Sequence, residues 1–247
     1  MKRRLNWRLL LGLALLALSA IVYVIHYLIF RDVHHIFIYL IGDIGFVFIE
    51  VLLVTLILHE VLALREKRAI LQKLNMVIGA FFSEVGSQLL RDFSSLDPHA
   101  DQIRDGLILT TETSDRDFSV LSERLAGYDY QVNADRAALT ELGTFLIGKR
   151  SFLLRLLENP NLLEHEAFTN LLWAVFHLTD ELAHRDDIDH VPDTDLEHLL
   201  GDIRRAYGLL ASEWLSYMKH LQDNYPYLFS LAMRTNPFDP KASPEVV

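Results

Sequence analysis

The chain has 247 residues, 51% of them apolar, with a mean hydropathy of +0.20 and a formal net charge of −10. The absence of cysteine excludes disulfides, thiolate metal centres and cysteine nucleophiles. Residues 65–247 carry 18 Lys or Arg against 29 Asp or Glu, so this part lacks the basic footprint that a phosphate backbone demands, and no nucleic-acid partner is expected.

The first element is LLLGLALLALSAIVYVIHYLIF, residues 9–30, which has no formal charge. A hydrocarbon core of about 30 Å needs roughly 20 helical residues, so this run is long enough to cross it. The competing reading is a signal peptide, with KRR as its basic start and Ala17-Leu18-Ser19 as its cleavage site. The apolar run continues past Ser19 to Phe30, however, which is longer than a signal core, and an uncleaved anchor is expected.

A second apolar run, Ile36 to Leu58, follows after RDVHH, so the two runs predict an antiparallel transmembrane hairpin. Lys2, Arg3, Arg4 and Arg8 flank the first span, and Arg65, Lys67, Arg68 and Lys73 follow the second, whereas the turn holds Arg31 alone. By the positive-inside rule, both ends of the chain lie in the cytoplasm and the turn lies outside, in the cytoplasmic membrane. Trp7, Tyr23, Tyr27 and Tyr39 fall near the expected interfaces.

Asp43 and Glu50 interrupt the second span. Each costs about 2.5–3.5 kcal/mol on insertion scales, so such residues face protein or water. Their seven-residue step places them on one face, and the same step continues through Ile57, Leu64, Leu71 and Ile78, with Leu74 and Phe81 as companions. This predicts a helix running on beyond the bilayer, with an apolar seam for self-association, weakened near Gly79 and Gly86. Two readings of the acids stand side by side. His26, at comparable depth, pairs with Asp43 inside one hairpin, or several copies gather the acids around a cation or proton path.

Beyond residue 64 the periodicity is helical throughout. The extended helix ends near Phe93, and residues 98–113 give no clear signal. Ser114 caps a short helix, Asp115 to Leu125, closed by Gly127. A longer helix opens at Asn133 and stops at Asn159-Pro160, with Leu139, Leu142, Leu146, Leu153 and Leu156 on one face. Asn161 to His184 follows, then the loop RDDIDHVPD, then a helix opened by a Thr194–Glu197 capping box and running to about Asn224. Pro226 starts a last short helix. The predicted fold is all-α: a hairpin (1–64), a helical extension (65–94), a cytoplasmic helical bundle (95–236) and a loose tail (237–247).

Among candidate sites, Glu181-Leu-Ala-His184 has the Glu-x-x-His spacing of di-iron bundles, but the second copy such sites need is missing. His177, Glu181 and His184 therefore read first as a polar edge, with metal binding as the weaker alternative. DDIDHVPDTDLE lacks the glycine and the final acid of a calcium loop. No phosphate loop, dinucleotide fingerprint, nucleophile elbow or zinc-protease motif is present, and no cofactor is expected.

At KLNMVIGAFFSEVG (73–86) and YPYLFSLAMRTNPF (225–238) the chain resembles a family of uncharacterised prokaryotic two-span membrane proteins, from HHIFIYLIGD to the tail. The resemblance implies a membrane hairpin with a helical cytoplasmic domain, and brings no activity, cofactor or catalytic residue. The expected role is non-catalytic: a membrane-anchored interaction or signal-relay module that self-associates and engages a cytoplasmic protein partner. The rival expectations are a cation or proton pathway through Asp43 and Glu50, and an enzyme supported only by the group from His177 to His184.

Overall fold

The computed structural model describes residues 7–245, with side chains at 7–9, 35 and 67–72 outside the description. Lys2, Arg3 and Arg4, and the side chains of Trp7, Arg8, Lys67, Arg68 and the seam residue Leu71, therefore lie outside it. All regular structure among the described residues is helical, in agreement with the expected class. The chain divides into two compact units at Glu66/Lys67.

The first unit holds α1 (Trp7–Phe30) and the start of α2 (Val33–Phe81). Arg31 makes the sharp turn in the left-handed region, with φ 49°, and its N–H donates to the Tyr27 carbonyl at 2.8 Å. Asp32 then accepts from the His34 N–H at 2.9 Å, which starts α2 earlier than the apolar pattern indicates. Both helices are long and apolar enough to cross a membrane: Leu10–Phe30 and Ile36–Glu66 each have a mean hydropathy of 2.4 with no part buried. Along α1 and the membrane-length part of α2 the described side chains are exposed except those of His26, Ile36 and Leu40, which are half-buried.

The second unit is built around α8 (Asp193–Asn224), whose buried residues run from Leu199 to Leu221. The end of α2 and α3 (Ser87–Leu96) lie antiparallel to it: Phe82 stacks on Tyr217 at 5.3 Å and Phe93 meets Tyr207 edge-on at 5.9 Å. Between them, Phe82–Gly86 widens into a π-helical turn. This lets the consecutive Phe81 and Phe82 both bury, where an unbroken α-helix would turn the second away by 100°. α5 (Asp115–Ala126) is opened by a full capping box between Ser114 and Asp117 and is followed by Gly127, as its sequence indicates. α6 (Arg136–Leu157) packs along α7 (Glu166–Ala183), which packs along α8. The short α4 (Asp101–Arg104) and the turn after it bury Ile103 and Leu107. α9 (Pro226–Arg234) begins at its proline.

Three expectations are corrected. Residues 74–93 are part of the domain core and not a separate extension: Leu74, Ile78 and Phe81 are buried, and Ile78, Phe81, Leu89 and Phe93 share one cluster with α6–α8. An apolar stripe does not say whether it faces a second copy or its own chain, and here it faces its own chain. The tail is not loose from 237 onward: Phe238 is buried against Trp214 at 5.1 Å, and Asn236 donates to the Leu107 carbonyl at 2.7 Å. The Thr194 capping box does not form, because Pro192 is the N-cap in an extended conformation and Glu197 pairs with Arg204.

Candidate functional site

Asp43 and Glu50 are exposed on α2, and among the described residues neither makes a hydrogen bond or an ion pair. The His26 ring lies 4.7 Å from that of Phe30, one helical turn on. Gly42 and Gly45 have nothing within 4 Å of where a Cβ would stand, so this face of α2 is open. Ile57 and Leu64 of the seam are likewise exposed.

The sharper geometry lies between α7 and α8. His177 and Glu181 are one turn apart on α7, and His198 and Asp202 are one turn apart on α8. The antiparallel packing of the two helices brings all four together. Asp202 is 3% exposed, and its Oδ2 stands 3.4 Å from His177 Nε2 and 3.5 Å from His198 Nε2. Glu181 closes the group, with Oε1 at 3.8 Å from His177 Nε2 and Oε2 at 3.9 Å from His198 Nε2. Arg205 reaches the other Asp202 oxygen at 3.4 Å.

Arg185 sets the position of this group. It grips Asp195 through two bonds of 2.6 and 2.7 Å and donates to Glu181 Oε2 at 2.7 Å, which ties the end of α7 to the start of α8. Its guanidinium holds the carboxyls of both Glu181 and Asp195 below the usual carboxylate range.

Of the predicted trio, His177 and Glu181 belong to the cluster and His184 does not. His184 ends α7, with Nδ1 2.7 Å from the Asp180 carbonyl oxygen. The residues missed were His198 and Asp202. Their four-residue step repeats that of His177 and Glu181, a signal that a search for Glu-x-x-His spacing passes over.

A second concavity, of about 550 Å3, is lined by Asn75, Gly79, Phe82, Tyr217, His220 and Leu231 among others. Asn75 Nδ2 lies 3.2 Å from His220 Nδ1 at its rim, and a Cβ on Gly79 would stand 2.9 Å from the Tyr217 hydroxyl oxygen.

Comparison with known proteins now adds a family. Residues 70–234 match the family described as "Uncharacterized protein MJ1433, C-terminal helical domain", and residues 2–62 match "MJ1433, N-terminal helical domain". The chain belongs to this family. It is 48% identical over 237 residues to the uncharacterized protein MJ1433 of Methanocaldococcus jannaschii, covering 96% of this chain and 95% of that one. The division at Glu66/Lys67 falls between the two matched segments. No solved structure matches.

Proposed function

We propose that the protein is a membrane-anchored, non-catalytic interaction or relay module that works as a homo-oligomer. Its two N-terminal helices lie in the cytoplasmic membrane, and its acidic helical domain meets a protein partner in the cytoplasm. The observation that carries this reading is the contrast between the units. The second buries its own core, while Leu10–Phe30 and Ile36–Glu66 bury no part of theirs. Apolar surface on that scale is far beyond what a protein exposes to water, and a bilayer covers it.

Self-association follows from the acids. Asp43 and Glu50 sit on an open face beside Gly42 and Gly45, where a neighbouring helix can approach closely and take the carboxylates out of lipid. The same exposure favours a second reading, in which the gathered acids line a cation or proton path.

Native mass spectrometry of the full chain in detergent tests the assembly. An oligomer that dissociates in the Asp43→Leu, Glu50→Leu double variant is expected, and a monomeric wild type overturns both readings. Cation flux into liposomes that is lost in Asp43→Asn and Glu50→Gln selects the pathway; absence of flux selects the relay.

A further inference from the structure

We propose that His177, Glu181, His198 and Asp202 form a binding site for one divalent first-row transition-metal ion, with Zn2+ as the best match to the donors. The site is distinct from the membrane reading above and does not depend on it.

The first support is the donor set. Two imidazoles and two carboxylates suit a borderline dication, and all four come from positions one turn apart on packed helices. The second is spacing. Zinc bonds of roughly 2.0–2.1 Å in a tetrahedron put neighbouring donors about 3.3–3.4 Å apart. The His177–Asp202 and His198–Asp202 separations are 3.4 and 3.5 Å, and the donor atoms of these three residues all lie within 4.8 Å of one another. Glu181 offers Oε1 at 3.8 Å to His177 and Oε2 at 3.9 Å to His198, and completes the four by turning one oxygen toward both rings.

The third support is independent of the clustering. Asp202 Oδ2 is buried and accepts no hydrogen bond, although two ring nitrogens stand beside it. A simple histidine–carboxylate network would aim an N–H at that oxygen, and a buried carboxylate oxygen left without a donor is costly. Two ring nitrogens and an orphaned carboxylate oxygen around one point are the arrangement a cation satisfies. The His177 and His198 side chains are 47% and 53% exposed, so the cluster is open to an ion entering from solvent. Arg185 supplies the supporting shell by fixing Glu181 through one oxygen.

The test uses the full chain in detergent, purified without a histidine tag, stripped with chelator and titrated with Co2+ as a visible stand-in. One equivalent taken up with the intense d–d absorption of a four-coordinate ion, and displaced by Zn2+, is expected. His177→Ala and His198→Ala should each weaken binding at least tenfold, while His184→Ala binds as wild type. On the unmutated chain, Zn2+ should protect His177 and His198, and not His184, from diethylpyrocarbonate. Absence of saturable uptake, or equal loss in His184→Ala, overturns the assignment.

Discussion

His177 Nε2 on α7 faces Asp202 Oδ2 on α8 at 3.4 Å, yet that oxygen accepts no hydrogen bond. A buried carboxylate oxygen left without a donor weakens the fold unless something binds there. In chelator, Asp202→Asn is therefore expected to be as stable as wild type to within about 1 kcal/mol, since the amide carries no charge to desolvate. Excess Zn2+ should raise the melting temperature of wild type alone. Saturation at about 100-fold over Kd is worth roughly 2.7 kcal/mol. Thermal melts with and without metal check both halves.

Arg185 joins Asp195 and Glu181 across the α7–α8 connection, and lysine reproduces its charge but not its two-pronged grip. Arg185→Lys should cost about 1–3 kcal/mol at neutral pH. The carboxyls of Glu181 and Asp195 are lowered by the guanidinium. Their contribution is thus present above the ordinary carboxylate range and is lost as pH falls through the lowered values. The gap between wild type and variant should close in acid, as urea melts across the carboxylate range will show.

Glu213 is 4% exposed, and burial raises its carboxyl above the ordinary 4.5, with only His165, at 3.6 Å, opposing the shift. A raised folded value means that stability is fully present below 4.5 and is lost as pH rises through the raised value. Glu213→Gln removes that loss. The variant should match wild type near pH 4 and become progressively more stable above it, which denaturant midpoints measured against pH will reveal.

The corrected domain boundary predicts the behaviour of fragments. Starting the domain at residue 95 deletes Leu74, Ile78, Phe81, Phe82, Val85, Leu89, Leu90 and Phe93 from the core. At about 2–5 kcal/mol for each large apolar side chain, the loss exceeds the roughly 5–15 kcal/mol that holds a domain together. Residues 67–247 should melt cooperatively, whereas 95–247 should bind hydrophobic dye and lack a sharp transition.

Local rules read well from this sequence where the deciding interaction is local. Ser114 and Asp117 cap α5 reciprocally, Pro226 starts α9, and the helical faces of α6, α7 and α8 are buried as their periodicity indicates. The failures occur where a distant partner decides. Leu74, Ile78 and Phe81 have heptad spacing, but the tertiary fold chooses what covers them. Phe238 follows a proline in a polar tail, and the distant Trp214 is among the core residues that cover it. His198 and Asp202 look like ordinary polar positions on α8 until α7 brings His177 and Glu181 against them.

The central claim, that Leu10–Phe30 and Ile36–Glu66 cross a bilayer, is tested most directly by site-specific labelling in intact cells. The chain has no cysteine, so single cysteines can be placed at will. Val33→Cys at the start of α2, next to the turn, should react with a membrane-impermeant maleimide from outside, Ser151→Cys in the domain should react only after lysis, and the protein should stay with the membrane in alkaline carbonate. Release by carbonate, or labelling of Ser151→Cys in unbroken cells, would contradict the account.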